Sequence, residues 1–157
     1  CVDTHIMNRI KFQQFRETCQ KVQDRCLGMH VRRGARFLAT YYDEYLGPAG
    51  ISGTQFTLLN EIYLNSSVTI GRLAEMLGVD RTTLNRNLNL LEHKKLIESS
   101  KGEDRRMRFI ALTSEGEKAL KKALPLWPLA QSRVEFILGT SCKRLTGDLR
   151  KLEKLKH

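Results

Sequence analysis

The fold is decided by residues 69–116, which read TIGRLAEMLGVDRTTLNRNLNLLEHKKLIESSKGEDRRMRFIALTSEG. Thr69 is a good helix N-cap, and Ile70, Leu73, Ala74 and Leu77 follow it at the spacing of a buried helical stripe. Gly78 supplies the left-handed residue that often ends a helix, and Asp80 is the next N-cap. Two short helices joined by a glycine turn are typical of a helix-turn-helix.

Two strands are predicted after the second helix, at residues 96–99 and 108–112. The charged segment KGEDRR, residues 101–106, joins them as a hairpin tip. Thr113 then caps another helix, with Glu115 and Glu117 in its first turn, where the helix dipole favours acids. The sequence therefore predicts a mainly α fold with a small β-hairpin, arranged as a winged helix-turn-helix domain.

Helices flank this region on both sides. The apolar spacing predicts helices over residues 8–25 and 26–46, and Ser52 with Gln55 forms a capping box that opens a third helix ending near residue 65. On the other side, prolines at 125 and 128 interrupt the chain, and glycines at 139 and 147 weaken the segment 129–155 as one helix. We expect a single domain over 1–157, with a winged helix-turn-helix at 66–112 and helical regions at 1–65 and 113–157.

Composition narrows the class of partner. The chain has 157 residues and a formal net charge of +10, from 27 Lys and Arg against 17 Asp and Glu. Such an excess favours polyanionic partners, with nucleic acid ahead of an anionic membrane. Residues 1–11 lack the apolar run of a secretory signal, and the longest uncharged stretch, 45–60, is broken by glycines and a proline. We expect a cytoplasmic protein without a membrane partner.

Motifs for catalysis, metal binding or cofactor binding do not stand out in this sequence. The four cysteines form no CxxC pair, and the four histidines show neither HxH nor HExxH spacing. Phosphate-binding glycine loops and the GxSxG elbow are also missing. The sequence therefore predicts a protein that is not an enzyme and that uses no metal and no cofactor.

The second helix of the pair has a polar face opposite its leucines. At about 100° per residue, Thr82, Asn85, Arg86 and Asn89 lie opposite Leu84, Leu88 and Leu91. Arginine can bind guanine at two atoms and asparagine can pair with adenine. Arg81, Thr82 and Thr83 stand at the helix N-terminus, where side chains and backbone N–H groups can meet phosphate. This face is predicted to bind DNA.

The hairpin is the second predicted DNA contact. Arginine on a short hairpin suits the narrow, negative minor groove. Asp104 is expected to orient a neighbouring arginine through a charge-assisted pair. The residues predicted to contact DNA here are Lys101, Asp104, Arg105, Arg106 and Arg108.

The stretch from Thr69 to Gly116 resembles the MarR family of bacterial transcriptional regulators. The matching residues are Leu73-Ala74, Leu77-Gly78, Arg81-Thr82-Thr83-Leu84, Leu91-Glu92, Leu96-Ile97, Asp104-Arg105-Arg106 and Leu112-Thr113. The chain departs from the family at Lys95, where glycine is usual. A lysine in a left-handed turn is strained.

The resemblance implies a homodimer whose outer helices interlock and whose two lobes bind a pseudo-palindromic operator in double-stranded DNA. Two half-sites would lie about 34 Å apart, and the dimer would carry +20, twice the +10 of one chain. It also implies a repressor that a small-molecule effector releases, often an aromatic or phenolic compound. The implied pocket would be lined by His30, Arg33, Phe37 and Tyr41.

Two alternatives remain open from the sequence. The first is a thiol-based redox-sensing repressor that uses Cys26, since Arg25 and Arg32 could lower the pKa of a nearby thiol; the other interpretation of Cys26 is a small, half-buried hydrophobe. The second is a winged-helix module that binds protein instead of DNA.

Overall fold

The computed structural model describes residues 4–102 and 107–155, and for residues 4–10 it describes the backbone alone. The predicted contacts Asp104, Arg105 and Arg106 lie outside the described residues. The chain divides into two compact units between Leu38 and Ala39, here the N-terminal and C-terminal units. Among the described residues, no helix combines the length and the apolar character that crossing a membrane requires.

The N-terminal unit consists of helix α1, Thr4–Arg25, and the first part of α2, Leu27–Leu46. Both helices were predicted, although α1 begins four residues earlier than expected. Cys26 stands between them: its N–H donates to the carbonyl of Val22 at 2.9 Å, and its own carbonyl accepts from the N–H groups of Met29 and His30. The residue of the redox alternative is therefore at a helix junction and half-buried.

The C-terminal unit begins within α2 and contains the remaining elements. A 3-10 turn at Gly47–Ala49 precedes the next helix. The helices are α3 Gly53–Leu64, α4 Ile70–Leu77, α5 Arg81–His93, α6 Ser114–Ala123, α7 Trp127–Leu138 and α8 Ser141–Lys151, and a 3-10 turn follows at Leu152–Leu155. The strands are β1 Val68–Thr69, β2 Ile97–Lys101 and β3 Arg108–Leu112.

The four predicted N-caps are all present. A side-chain oxygen of Ser52, Thr69, Asp80 and Thr113 accepts a hydrogen bond from the backbone N–H three residues further on. Gln55 completes the capping box by accepting from the N–H of Ser52. Gly78 ends α4 with a φ of 63°, as predicted for the turn of the helix pair. These caps fix where the elements of the helix-turn-helix begin and end.

The sheet has one strand more than the predicted hairpin. Its order is β1-β3-β2, antiparallel throughout, and β2 pairs with β3 from Ile97↔Leu112 to Lys101↔Arg108. The additional strand β1 pairs Val68 with Ile110 and Thr69 with Phe109. A strand of two residues has no alternation to detect in the sequence, and its partner lies about 40 positions away.

One hydrophobic core holds the helix pair to the sheet and to α3 and α6. Leu59, Leu73, Leu91 and Ile110 are completely buried in it, and Leu84 and Leu88 nearly so. Burying a leucine stabilises a fold by about 1.5–3 kcal/mol. The three leucines of α5 therefore fix which side of this helix faces solvent.

The C-terminal segment is broken where proline and glycine predicted a break. Helix α6 ends at Ala123, α7 begins at Trp127 with Pro128 in its first turn, and Gly139, at a φ of 53°, separates α7 from α8. Gly147 lies inside α8 without interrupting it.

Candidate nucleic-acid interface

Helix α5 presents its predicted contact residues to solvent. Its three leucines are buried and are the side that packs on the core. The sequence between Arg81 and Leu91 contains no acidic residue. All six residues predicted on this helix are exposed, namely Arg81, Thr82, Thr83, Asn85, Arg86 and Asn89; Leu90 and His93 are exposed as well.

The first turn of α5 is fixed by Asp80. Its Oδ1 accepts from the N–H of Thr83 at 2.9 Å, and its Oδ2 accepts from the Thr83 hydroxyl at 2.6 Å. The hydroxyl and then the N–H of Thr83 hold the pKa of Asp80 below its ordinary value. The hydroxyl proton of Thr83 is thus used in the cap, which leaves its oxygen as an acceptor.

Arg81 lies against the first turn of α4. A Cβ placed on Gly71 would stand 3.4 Å from a terminal nitrogen of the Arg81 guanidinium. This guanidinium is therefore close to the start of both helices of the pair. Helix N-termini carry partial positive charge, so the region is suited to a phosphate group.

The end of α5 is held by Lys94. Its Nζ donates to the carbonyl of Gly50 at 3.1 Å and to Oε1 of Gln55 at 3.0 Å. Gln55 is the residue of the α3 capping box and is itself buried. Lys94 therefore anchors α5 to the start of α3 and is not available as a free surface cation.

The corner after α5 is built on Lys95. This residue has a φ of 58°, so the lysine adopts a left-handed turn at the position where the family usually has glycine. The carbonyl of Lys95 accepts from the Thr113 hydroxyl at 2.7 Å, and the carbonyl of Leu96 accepts from the Thr113 N–H at 3.1 Å. The corner thus joins the start of β2 to the start of α6.

Replacing Lys95 by glycine is expected to raise the free energy of unfolding by about 1 kcal/mol, because glycine adopts a positive φ without the steric cost that a Cβ imposes. Urea denaturation checks this. Lys94→Gly is the matched control; it loses two hydrogen bonds at a right-handed position and should be less stable than the wild type. A destabilised Lys95→Gly protein would mean that the lysine side chain contributes more than the turn costs.

The hairpin of β2 and β3, called the wing below, closes towards its tip with a hydrogen bond. The N–H of Gly102 donates to the carbonyl of Met107 at 2.9 Å. A Cβ on Gly102 would lie 2.8 Å from the ring of Phe109, so the glycine lets this ring pack against the strand end. Lys101 is exposed and stands opposite Arg108 in the strand register.

Arg108 is placed differently from the other predicted contacts. Its Nη2 donates to Oε1 of Glu92, at the end of α5, at 2.6 Å and to Oγ of Ser99, on β2, at 2.9 Å. The sequence had indicated neither Glu92 nor Ser99 as a functional residue. They stand 16 and 9 positions from Arg108, and no local pattern connects them.

The residues of the implied effector pocket lie on α2. In the N-terminal unit, Nε2 of His30 is 3.2 Å from the carbonyl oxygen of Asp24, and the guanidinium of Arg33 lies 5.9 Å from the centre of the exposed Phe37 ring. In the C-terminal unit, the Tyr41 ring packs on the Tyr45 ring at 4.9 Å. The pocket stays a prediction.

Known proteins are similar to this chain in sequence and in fold. The sequence model of the MarR family matches residues 49–107. The crystal structure of the Mycobacterium tuberculosis transcriptional regulator MosR in complex with DNA is 38% identical, with a TM-score of 0.77 over 83% of this chain and 95% of that one. A mutant Escherichia coli MarR complexed with operator DNA shares the fold at 23% identity, with a TM-score of 0.74 over 87% of this chain and 98% of that one. The uncharacterized HTH-type transcriptional regulator YwaE of Bacillus subtilis is 27% identical over 130 residues, which are 80% of this chain and 75% of that protein.

Proposed function

The chain belongs to the MarR family of transcriptional regulators, and we propose that it is a cytoplasmic, homodimeric repressor that binds a pseudo-palindromic operator in double-stranded DNA. A small-molecule effector, aromatic or phenolic, releases it. The observation that carries the proposal is the solvent face of α5. That face combines two asparagines, two arginines and two threonines without an acid, on a helix whose other side is locked into the core.

We assign recognition of the operator's base sequence to residues in the middle of α5. Asn85, Arg86 and Asn89 are exposed along one side, and these residue types bind base edges in the major groove. Arg81 and Thr82 at the N-terminus position the helix on the phosphates, whereas the Thr83 hydroxyl donates to Asp80 and has no proton left for a phosphate oxygen. Lys101 and the tip residues 104–106 are assigned to the neighbouring minor groove.

A second copy of the chain is proposed to cover the apolar residues of the outer helices. In the C-terminal unit, Phe136 on α7 is 78% exposed and Ile137 is 67% exposed; in the N-terminal unit, Phe12 and Phe15 on α1 are each 68% exposed. Clustered apolar exposure of this kind marks association surfaces. A symmetric dimer presents two copies of α5 to two half-sites.

The effector is proposed to bind near the α2 residues His30, Arg33, Phe37 and Tyr41. Aromatic rings and a guanidinium among them suit a planar ligand that carries an acidic group. The thiol alternative at Cys26 has no comparable support, since a half-buried cysteine at a helix junction is also an ordinary small hydrophobe.

Binding to the DNA upstream of the chain's own gene tests the proposal. Affinity should fall at least about tenfold between 50 and 200 mM KCl, because each neutralised phosphate releases a counterion and steepens the salt dependence by about 0.9. Fluorescence anisotropy of a labelled fragment measures this, with a scrambled fragment of the same length as the control.

Specific binding should exceed scrambled-DNA binding at every salt concentration. Failure to bind either fragment would instead support the winged-helix module that recognises protein. Equal binding to both fragments would leave a basic protein without sequence specificity and would contradict the assignment of α5.

A further inference from the structure

Three elements meet at one nitrogen of Arg108. The side chain stands on β3, and its Nη2 donates to Glu92 on α5 and to Ser99 on β2. The side chain of Glu92 is only 26% exposed, and that of Arg108 is 43% exposed. Both protons of this nitrogen are therefore used inside the protein.

Glu92 is the acidic residue of α5, and it stands in the last turn of the helix. A carboxylate on a helix that approaches DNA lowers affinity through repulsion from phosphates. Here the negative charge of Glu92 is paired with the positive charge of Arg108 on the wing. Arginine is suited to this role because it stays ionised and holds several acceptors in a fixed geometry.

We propose that Arg108 is a positioning residue of the DNA-binding site, and that the Glu92–Arg108–Ser99 link sets the wing relative to α5. The inference rests on the proposed function of DNA binding. It reassigns Arg108, which the sequence predicted as a direct contact. In this arrangement Arg108 raises affinity by presenting Lys101 at the angle at which it meets the groove beside α5.

The Glu92–Arg108–Ser99 link is a local interaction that lies outside the hydrophobic core. A half-exposed ion pair contributes little to the stability of a fold. Variants at Glu92 and Arg108 should therefore remain folded, and their DNA binding can be compared directly.

The direction in which Glu92→Gln changes DNA affinity separates a positioning role of Arg108 from a direct contact with DNA. Glu92→Gln removes a negative charge from the DNA-binding side, so electrostatics alone would tighten binding. The proposal predicts the opposite, a weakening of about fivefold, because the glutamine carbonyl offers Arg108 only a neutral hydrogen bond in place of the charge-assisted one. Arg108→Gln should weaken binding by a similar factor, and the double variant should be no worse than the Arg108 variant alone, because both substitutions act on the same link.

The salt dependence provides the second readout, with Lys101→Gln as the matched control. Lys101 stands opposite Arg108 in the wing register and is proposed to meet phosphate or groove directly. Its loss should reduce the slope of log affinity against log salt by about 0.9 for each copy of the chain. Arg108→Gln should leave the slope at the wild-type value, because the bound wing still makes the Lys101 contact and only its orientation before binding is lost. Tighter binding by Glu92→Gln, or a slope reduced by Arg108→Gln as by Lys101→Gln, would overturn the proposal.

Hydrogen exchange of the DNA-free protein tests the Glu92–Arg108–Ser99 link without relying on DNA binding. The Gly102 amide, which closes the wing towards its tip, should exchange faster in both Glu92→Gln and Arg108→Gln than in the wild type. If the wild type bound no DNA, the proposed function would fail, while faster exchange would still support the link. Unchanged exchange in both variants would contradict the link itself.

Discussion

Replacing Gly116 by alanine is expected to lower the free energy of unfolding by about 3 kcal/mol per chain. Gly116 lies in the first turns of α6, where alanine would ordinarily be the better helix former by about 1 kcal/mol. A Cβ at this position would stand 1.9 Å from the carbonyl oxygen of Leu96. That oxygen is backbone, and it already accepts from the N–H of Thr113, so it cannot turn aside as a side chain would.

Urea denaturation at a fixed protein concentration measures the effect, since association changes apparent stability. Gly147→Ala is the matched control. Gly147 also lies inside a helix, α8, and a Cβ there would meet nothing within 4 Å among the described residues. The control should gain about 0.5–1 kcal/mol. If both variants gained stability, the close approach of α6 to Leu96 would be wrong.

Replacing Arg86 by alanine is expected to cost about 1–3 kcal/mol at the preferred base pair of each half-site. A symmetric dimer loses this twice, so operator affinity should fall by about 30-fold or more. The reason is that Arg86 is exposed in the middle of the α5 face, the position from which we propose that its guanidinium reaches a base edge. Affinities for operators mutated one base pair at a time show whether discrimination is lost at one position per half-site.

Arg72→Ala is the matched control for charge. Arg72 lies on α4, is exposed, and pairs with Glu75 of the same helix at 2.8 Å. Its removal should change binding modestly and equally for all operators. An Arg86→Ala protein that weakened equally on every operator would identify Arg86 as a phosphate contact and would place the base-reading face elsewhere on α5.

The sequence by itself determined where the capped helices begin. The caps at Ser52, Thr69, Asp80 and Thr113 join a side chain to a backbone N–H only three residues away. Interactions of that range are contained in any short window of sequence, and so is the leucine stripe of α5.

Only the tertiary structure decided which contacts these elements make with one another. Strand β1 exists because Val68 meets Ile110, Gly116 is required because α6 passes the carbonyl of Leu96, and Arg108 is bound because Glu92 lies beside it. Each depends on two segments that are distant in sequence, and neither segment alone carries the signal. Close packing then selects residues by the space and the partners that a distant segment leaves, which overrides local propensity at Gly116 and gives Arg108 a partner in Glu92.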